Sequence, residues 1–320
     1  MANPRTHHAT HSVTIDAPAQ AVYGLVSATE NWPLLFPPTV LVHHIERVGT
    51  EERIQIWATA NDEVKTWTSF RRLDPAARRI EFRQERSHAP VRSMGGAWTI
   101  GELPGGQTVV TLDHDFTAVD DTPENVEWIE RAIDRNSGAE LSALRKNAES
   151  LQDDRDLLLK FADTITVHGS ASDVYQFIRQ AQEWPQRLPH VSRVALDEDT
   201  PDLQLLEMDT RAPDGSVHTT RSVRVCFPDT AIVYKQLLVP KLLSAHLGRW
   251  LIERQGDDVR LTSEHTVVIE PAAIAGVLGA DATVADAKNY VHTALSNNSG
   301  TTMAHARDFA EKAKATPVGH

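Results

Sequence analysis

The residues best suited to carbonyl chemistry begin with Ser69 and Arg71, which stand two apart in the segment Trp67-Thr68-Ser69-Phe70-Arg71. In a β-strand they share one face with Trp67, because successive side chains alternate. A guanidinium keeps its charge and offers donors in a fixed fork, so beside a hydroxyl it suits an oxygen that gains negative charge. The same alternation permits the reverse reading, with Ser69 and Arg71 in water and Phe70 inward. His114 shares parity with Val110, Leu112 and Phe116, and His265 with Leu261, Val267 and Ile269. A histidine on an apolar strand face is either a core residue or a proton carrier that titrates near neutrality. Asn136 and Asn298 lie on helical patterns, where each could hold a water or a carbonyl or face solvent. Trp32, Trp67, Met94 and Trp98, and further on Trp184, His246 and Trp250, are large enough to wall a small-molecule site or to fill a core.

Other chemistries lose their support. The sequence has no Gly-rich loop ending in Lys-Ser/Thr, no G-x-G-x-x-G, no H-E-x-x-H and no G-x-S-x-G, so nucleotide, dinucleotide and zinc-hydrolase readings are set aside and no cofactor or metal is expected. His7, His8 and His11 read as a solvated, unstructured start, and Cys226, in the apolar run Val223–Phe227, as a core thiol. A formal charge of −12 argues against nucleic-acid binding. Hydrophobic residues at 41% and charged residues at 24% are those of a soluble globular chain. The longest uncharged apolar stretch, around Ala272–Ala280, is too short to cross a bilayer, so no membrane role is expected. The start lacks the apolar core of a secretory signal and Cys226 has no partner for a disulfide, which together predict a cytoplasmic chain.

These residues must be positioned by elements, and the elements come twice. SVTIDAPAQAVYGLVSATENWP (12–33) returns as TITVHGSASDVYQFIRQAQEWP (164–185), an offset of 152. Gly96-x-Trp98 returns at the same offset as Gly248-x-Trp250, and the Asn-Ser-Gly of residue 136 returns at 298. A repeat this long predicts two domains with separate cores, at 1–152 and 157–320, joined by a linker at Gln152–Asp156. Each copy reads as a strand, a helix starting near Pro18 or Ser170 and ending at Trp-Pro, a meander of alternating segments, and a long amphipathic helix over Pro123–Leu151 or Thr283–Ala315. The fold class is therefore α+β, with the helix lying across an antiparallel sheet.

The ENWP block, the W-T-S-x-R strand at Trp67–Arg71, the Met94 and Trp98 pair and the closing helix with Asn136 resemble the bacterial aromatic polyketide aromatase/cyclases. Doubled over essentially the whole chain, the pattern is similar to the di-domain members of type II polyketide synthases. The resemblance implies two tandem helix-grip (START/Bet v1-like) domains, each an antiparallel sheet wrapped around a long C-terminal helix with an internal pocket. It implies a poly-β-ketone carried on an acyl carrier protein, with other type II polyketide synthase components as partners. The implied reaction is aldol closure of a first ring between C7 and C12, followed by dehydration and aromatisation, or aromatisation alone. Carried onto this chain, the family's catalytic set falls on Arg71, Ser69, His114 and Asn136, with Trp32, Trp67, Met94 and Trp98 as walls. The second copy departs from it. Its counterparts are Arg224, Ser222, His265 and Asn298 with Trp184, His246 and Trp250, and a one-residue slip in Thr219–Arg224 would exchange faces. That copy is a different site or a silent one. Seven arginines between Arg71 and Arg92 form the densest basic stretch, either a docking patch for an acidic carrier protein or a solvated strand pair. The competing class is a non-catalytic START-like carrier of a hydrophobic small molecule.

Overall fold

The computed structural model describes residues 5–60, 63–150, 156–211, 215 and 217–315. The chain divides into two compact units, Met1–Asp153 and Asp154–His320. The linker read at Gln152–Asp156 lies, except for Asp156, outside the described residues.

In the first unit β1 (His7–Ile15) leads to α1 (Ala19–Ser27), a 3₁₀ turn at Thr29–Asn31 and the short α2 (Trp32–Leu35). The meander follows as β2 (Thr39–Val48), β3 (Glu51–Ala60), β4 (Glu63–Asp74), β5 (Arg79–Gln84), β6 (Val91–Glu102) and β7 (Thr108–Ala118), and α3 (Pro123–Glu149) closes the unit. The seven strands pair antiparallel in the order β1-β7-β6-β5-β4-β3-β2. The second unit repeats this with β8 (Leu158–Val167), α4 (Ala171–Arg179), α5 (Trp184–Arg187), β9 (Val191–Thr200), β10 (Leu203–Arg211), β11 (Val217–Phe227), β12 (Ala231–Leu238), β13 (Leu243–Gln255) and β14 (Asp258–Ile269). Its strand order is β8-β14-β13-β12-β11-β10-β9. A short helix α6 (Pro271–Leu278), absent from the first unit, precedes the long α7 (Val284–Ala315) and accounts for the larger offset of the last repeat block.

Local chemistry sets the boundaries. The Thr122 hydroxyl accepts from the backbone N–H of Asn125 at 3.3 Å and Pro123 occupies the first turn, a favourable start for α3. Ser170 caps α4 in the same way, accepting from Asp173 N–H at 3.0 Å. Two expectations are corrected. Trp-Pro does not end the first helix: α1 stops at Ser27, and Trp32-Pro33 opens α2, where a first-turn N–H has no intrahelical acceptor and proline's lack of one costs nothing. The start is not a solvated tail either. His7 and His11 lie in β1, which pairs with β7 along its whole length, and their Nε2 atoms reach Asp121 at 2.7 Å and Asp134 at 2.9 Å.

The long helices pack on the sheets, α3 against β1 and β7, α7 against β8 and β14. Each core is layered. In the first unit Leu112 of β7, Trp98 of β6 and Leu141 and Leu144 of α3 belong to one apolar cluster. Phe116 of β7 with Ile129 and Ile133 of α3 belongs to another, against which Met94 of β6 packs. In the second unit Leu261, Trp250, Met303 and Ala306 lie in one cluster, and Val267, Leu243, Ala287 and Val291 in another. Between the clusters the same strands and helices place polar residues. Cys226 is buried in the first of these second-unit clusters.

Candidate active site

The inner face of β4 carries Ser69 and Arg71, both buried, while Phe70 is 45% exposed, so the reverse reading is excluded. Arg71 stands opposite Glu52 of β3. Its Nη1 donates to Glu52 Oε1 at 2.6 Å and its Nη2 to the carbonyl of Val26 at 2.9 Å, with Ser27 O at 3.5 Å, and Trp32 lies under the guanidinium with its ring centroid 4.9 Å from Cζ. Burial pulls this arginine down to about 10, which leaves it charged at neutral pH. Arg71 therefore caps the C-terminal carbonyls of α1 and neutralises a buried carboxylate. This corrects the expectation of a guanidinium reserved for a ligand oxygen: Glu52, on the neighbouring strand, takes its strongest donor. The Ser69 hydroxyl donates to the carbonyl of Arg83 at 3.2 Å.

The second unit settles its strand register in the same geometry. Arg224 stands opposite Gln204, as Arg71 stands opposite Glu52, and Ser222 and Arg224 are both buried. Arg224 Nη2 donates to the carbonyl of Ile178 at 2.6 Å, with Arg179 O at 3.5 Å and the Trp184 ring centroid 5.3 Å away. Here the carboxylate is replaced by Gln204, whose amide nitrogen turns to Glu198 at 2.8 Å. Among the described residues Arg224 thus has carbonyl and aromatic partners and no carboxylate.

The histidines lie in the polar layers. His114 sits on β7 between Leu112 and Phe116, hence between the two apolar clusters, with the Phe82 ring edge-on at 5.5 Å and its Nδ1 buried without a partner. Burial, ahead of nearby charges, pushes it down to about 4, so the ring is neutral at pH 7. Facing this layer from α3 are Ser137, 1% exposed with an unpartnered hydroxyl, and Glu140, three residues on. Glu140 is partly exposed as a residue, yet its carboxyl has neither a hydrogen bond nor an ion pair among the described residues, and burial alone pushes it up to about 7. A neutral imidazole and a carboxyl that titrates at neutrality form the kind of divergent pair from which acid and base roles arise.

Asn136 and Asn298, predicted to enter the site, are exposed. A single residue is one hundred degrees of helix, and the ladder Ile129, Ile133, Ser137, Leu141 turns Ser137 inward and Asn136 out. In α7 Ser299 and Thr302 are buried instead, each bonded to a carbonyl four residues back, at 2.9 Å and 3.0 Å. That ladder of buried positions was present in the sequence and identifies Ser137; Glu140 follows from it by helical spacing.

Strand pairing aligns the two units residue by residue around the histidine. Gly96 pairs with His114 and Phe82, and Gly248 pairs with His265 and Tyr234; Trp98 pairs with Leu112, and Trp250 with Ser263. Phe82, Met94 and Leu112 of the first unit are thus replaced by Tyr234, His246 and Ser263. In the second unit these side chains are connected. His246 Nε2 lies 3.1 Å from His265 Nδ1, Ser263 Oγ lies 3.1 Å from His265 Nε2, and the Tyr234 hydroxyl lies 3.5 Å from His265 Nδ1. Phe161 stacks on His265 at 4.9 Å. Burial pushes His246 down to about 3 and His265 to about 4, so both rings are neutral.

The remaining predicted walls divide. Trp98, Trp184 and Trp250 are core residues, Trp67 packs on the Val42, Ile54 and Ile56 cluster, and Trp32 lies under Arg71. Two surface clefts are present: about 430 Å³ between the end of α6 and the start of α7, and about 250 Å³ lined by the outer-face residues His8, Arg79, Asp113 and Asp115 together with Gly96 and His114. The basic stretch is largely neutralised, since Arg78 pairs with Glu102 at 3.1 Å, Arg79 with Glu81 at 3.3 Å and Arg83 with Asp115 at 2.8 Å. Arg72, Arg86 and Arg92 remain exposed.

Two family models, both described as polyketide cyclase / dehydrase and lipid transport, match residues 6–149 and 167–286. The granaticin polyketide synthase bifunctional cyclase/dehydratase of Streptomyces violaceoruber is 43% identical over 314 residues, 98% of this chain and 97% of that protein. The chain belongs to the polyketide cyclase/dehydratases. The actinorhodin polyketide synthase bifunctional cyclase/dehydratase of Streptomyces coelicolor is 44% identical over 316 residues, covering 96% and 98% of the two chains. Among solved structures, the di-domain ARO/CYC BexL matches at 52% identity and TM-score 0.89, over 95% of this chain and 99% of that one. The di-domain ARO/CYC StfQ of the steffimycin biosynthetic pathway matches at 35% identity and TM-score 0.87, over 96% and 100%. This cyclase/dehydratase is accordingly an enzyme of aromatic polyketide biosynthesis with two tandem helix-grip domains, and the reading as a passive carrier is overturned. Among its described residues no helix is long and apolar enough to cross a membrane.

Proposed function

We propose that the chain closes the first ring of an acyl-carrier-protein-bound poly-β-ketone, between C7 and C12, by aldol condensation and then removes water to aromatise it. The observation that supports this reading is the polar layer between two apolar clusters, with neutral His114 on the strand and Glu140, titrating near neutrality, on the helix. A poly-β-ketone cyclises unaided in several ways, so the enzyme's first contribution is to fold the chain against apolar surfaces such that only two carbons meet. His114 takes the proton from the attacking carbon, and Glu140 in its protonated form donates to the carbonyl oxygen as it becomes an alkoxide. Ser137, whose hydroxyl has no protein partner, orients that carbonyl. Arg71 acts at one remove by holding the end of α1 and the Trp32 ring in place. The domain boundaries at 1–152 and 157–320 are part of the same proposal. Exposed Arg72, Arg86 and Arg92 receive the acidic carrier protein, an interaction that weakens with added salt.

The test is reconstitution of a minimal type II polyketide synthase with and without the chain. The wild-type chain is expected to redirect products to the C7–C12 ring, and Glu140→Gln to lower the yield of that ring by about 10²-fold, the usual scale for loss of one general acid. An unchanged product distribution with the wild-type chain would overturn the assignment.

A further inference from the structure

The histidine shared by the two units has been placed in opposite surroundings. In the first unit the corresponding positions are Phe82, Met94 and Leu112, none of which offers it a hydrogen bond, and its Nδ1 has no partner; in the second the replacements Tyr234, His246 and Ser263 all lie within hydrogen-bonding reach of it. Three polar replacements at three positions that surround one side chain, each buried or partly buried, would be costly unless they worked as a set. They do connect, and the connection ends at one atom: Nδ1 of His246 is buried and has no partner.

We infer that the second unit holds its own proton-transfer site, a chain running from Ser263 through His265 to His246 whose working end is Nδ1 of His246. This rests on the cyclase/dehydratase reading above and assigns the loss of water to the second unit. The hydrogen-bond geometry allows one polarity that leaves a base at that end. His246 Nε2–H donates to His265 Nδ1, and His265 Nε2–H donates to the Ser263 hydroxyl oxygen. Nδ1 of His246 then carries a free lone pair. For a β-hydroxy ketone left by aldol closure, Nδ1 takes the proton from the carbon between the hydroxyl-bearing carbon and the ketone. The electrons of that C–H bond form the carbon–carbon double bond, the C–O bond breaks, and the departing hydroxide takes the same proton back from the imidazolium to leave as water. One water is lost, the histidine ends neutral as it began, and no oxidant or reductant is required. The positive charge that forms in transit is shared along the chain to His265, with the Tyr234 hydroxyl beside it. In the first unit Met94 stands where His246 stands, so no equivalent chain exists there.

The experiment uses the full chain with a minimal polyketide synthase, and two variants, His246→Met, which installs the first unit's residue, and Ser263→Ala. With wild-type chain the dehydrated ring predominates. With H246M the ring still closes, its undehydrated form accumulates, and the dehydrated product falls by about 10²-fold; S263A falls less and displaces the pH profile of dehydration. In ¹⁵N-labelled wild-type chain, the His246 ring is expected to carry its proton on Nε2 and none on Nδ1. Wild-type ratios of dehydrated to undehydrated ring in both folded variants, or a proton on Nδ1 of His246, would overturn the inference while leaving the cyclase reading intact. If H246M does not fold, S263A and the tautomer decide the matter. Failure of the wild-type chain to alter any product would instead defeat the cyclase reading itself.

Discussion

Arg71 and Glu52 are each 2% exposed and share a 2.6 Å contact, so removal of Glu52 leaves a buried guanidinium without its carboxylate, and removal of Arg71 leaves Glu52 with only the part-exposed His44 at 3.1 Å and the exposed Arg47 at 3.9 Å. Arg71→Ala and Glu52→Gln are each expected to cost about 3–5 kcal/mol of stability in the first unit, measured by denaturant unfolding. Loss of product in Arg71→Ala would therefore report on folding before chemistry, which is why Glu140→Gln is the sharper probe of the reaction. Glu140 also predicts a pH effect on stability. Its folded value of about 7 lies above the value for an unfolded glutamate, so between these limits the folded state binds more protons and stability declines as pH rises. Glu140→Gln should abolish that decline, leaving the variant more stable than wild type at pH 8 and similar to it near pH 4, by thermal melts at both values.

At the scale of elements, the positions Gly96 and Gly248 occupy corresponding strand pairs but are constrained differently. A Cβ at Gly96 would lie 1.9 Å from the backbone oxygen of Asp113, whereas one at Gly248 would lie 2.1 Å from Cζ of the Tyr234 ring. A backbone oxygen can yield only by breaking the β6–β7 pairing, and a side chain can rotate away. Gly96→Ala is expected to destabilise its unit more than Gly248→Ala does, while Gly248→Ala moves the Tyr234 ring away from His265; chemical denaturation of the two variants compares them. The sheet meander and the two long helices were legible in the sequence because period two and the helical ladder are local properties. The partner of Arg71 was not, since Glu52 meets it only through the pairing of β3 with β4. Trp32-Pro33 was misread because a proline is compatible with both the end of one helix and the first turn of the next. Asn136 was carried into the site by the family resemblance, and recurrence cannot separate it from Ser137, since both return in the second copy; the buried ladder decides between them. The wired histidine of the second unit lay hidden for a similar reason: His265 and His246 were visible, but Tyr234 and Ser263 gain meaning only from strand register.

For the whole molecule, duplication with separate cores predicts that residues 1–153 and 154–320, produced apart, each fold and each unfold in one transition by circular dichroism. Their acid behaviour should differ. His246 and His265 are buried and His114 is partly so, and burial holds the folded values of all three well below that of a free histidine, so below about pH 6.5 the unfolded state binds more protons and stability falls as pH drops toward 4. In the first unit Glu140 acts in the opposite direction over an overlapping range, whereas the second unit carries His246 and His265, with His190 also pulled down by burial, and no carboxyl pushed up by burial among its described residues. Thermal melts at pH 7.5 and 5 are expected to show the larger loss in the second unit.

The layering of each core separates two demands that usually compete for the same side chains. Greasy ends of the sandwich keep the helix seated on its sheet, while the rungs between them can change character without unseating it. A gene copied in tandem could therefore retune the middle of one duplicate, exchanging a phenyl ring, a thioether and an isobutyl group for a phenol, an imidazole and a hydroxymethyl, and acquire a new reagent on an old frame. Engineers seeking altered ketide products have the same few rungs to work with.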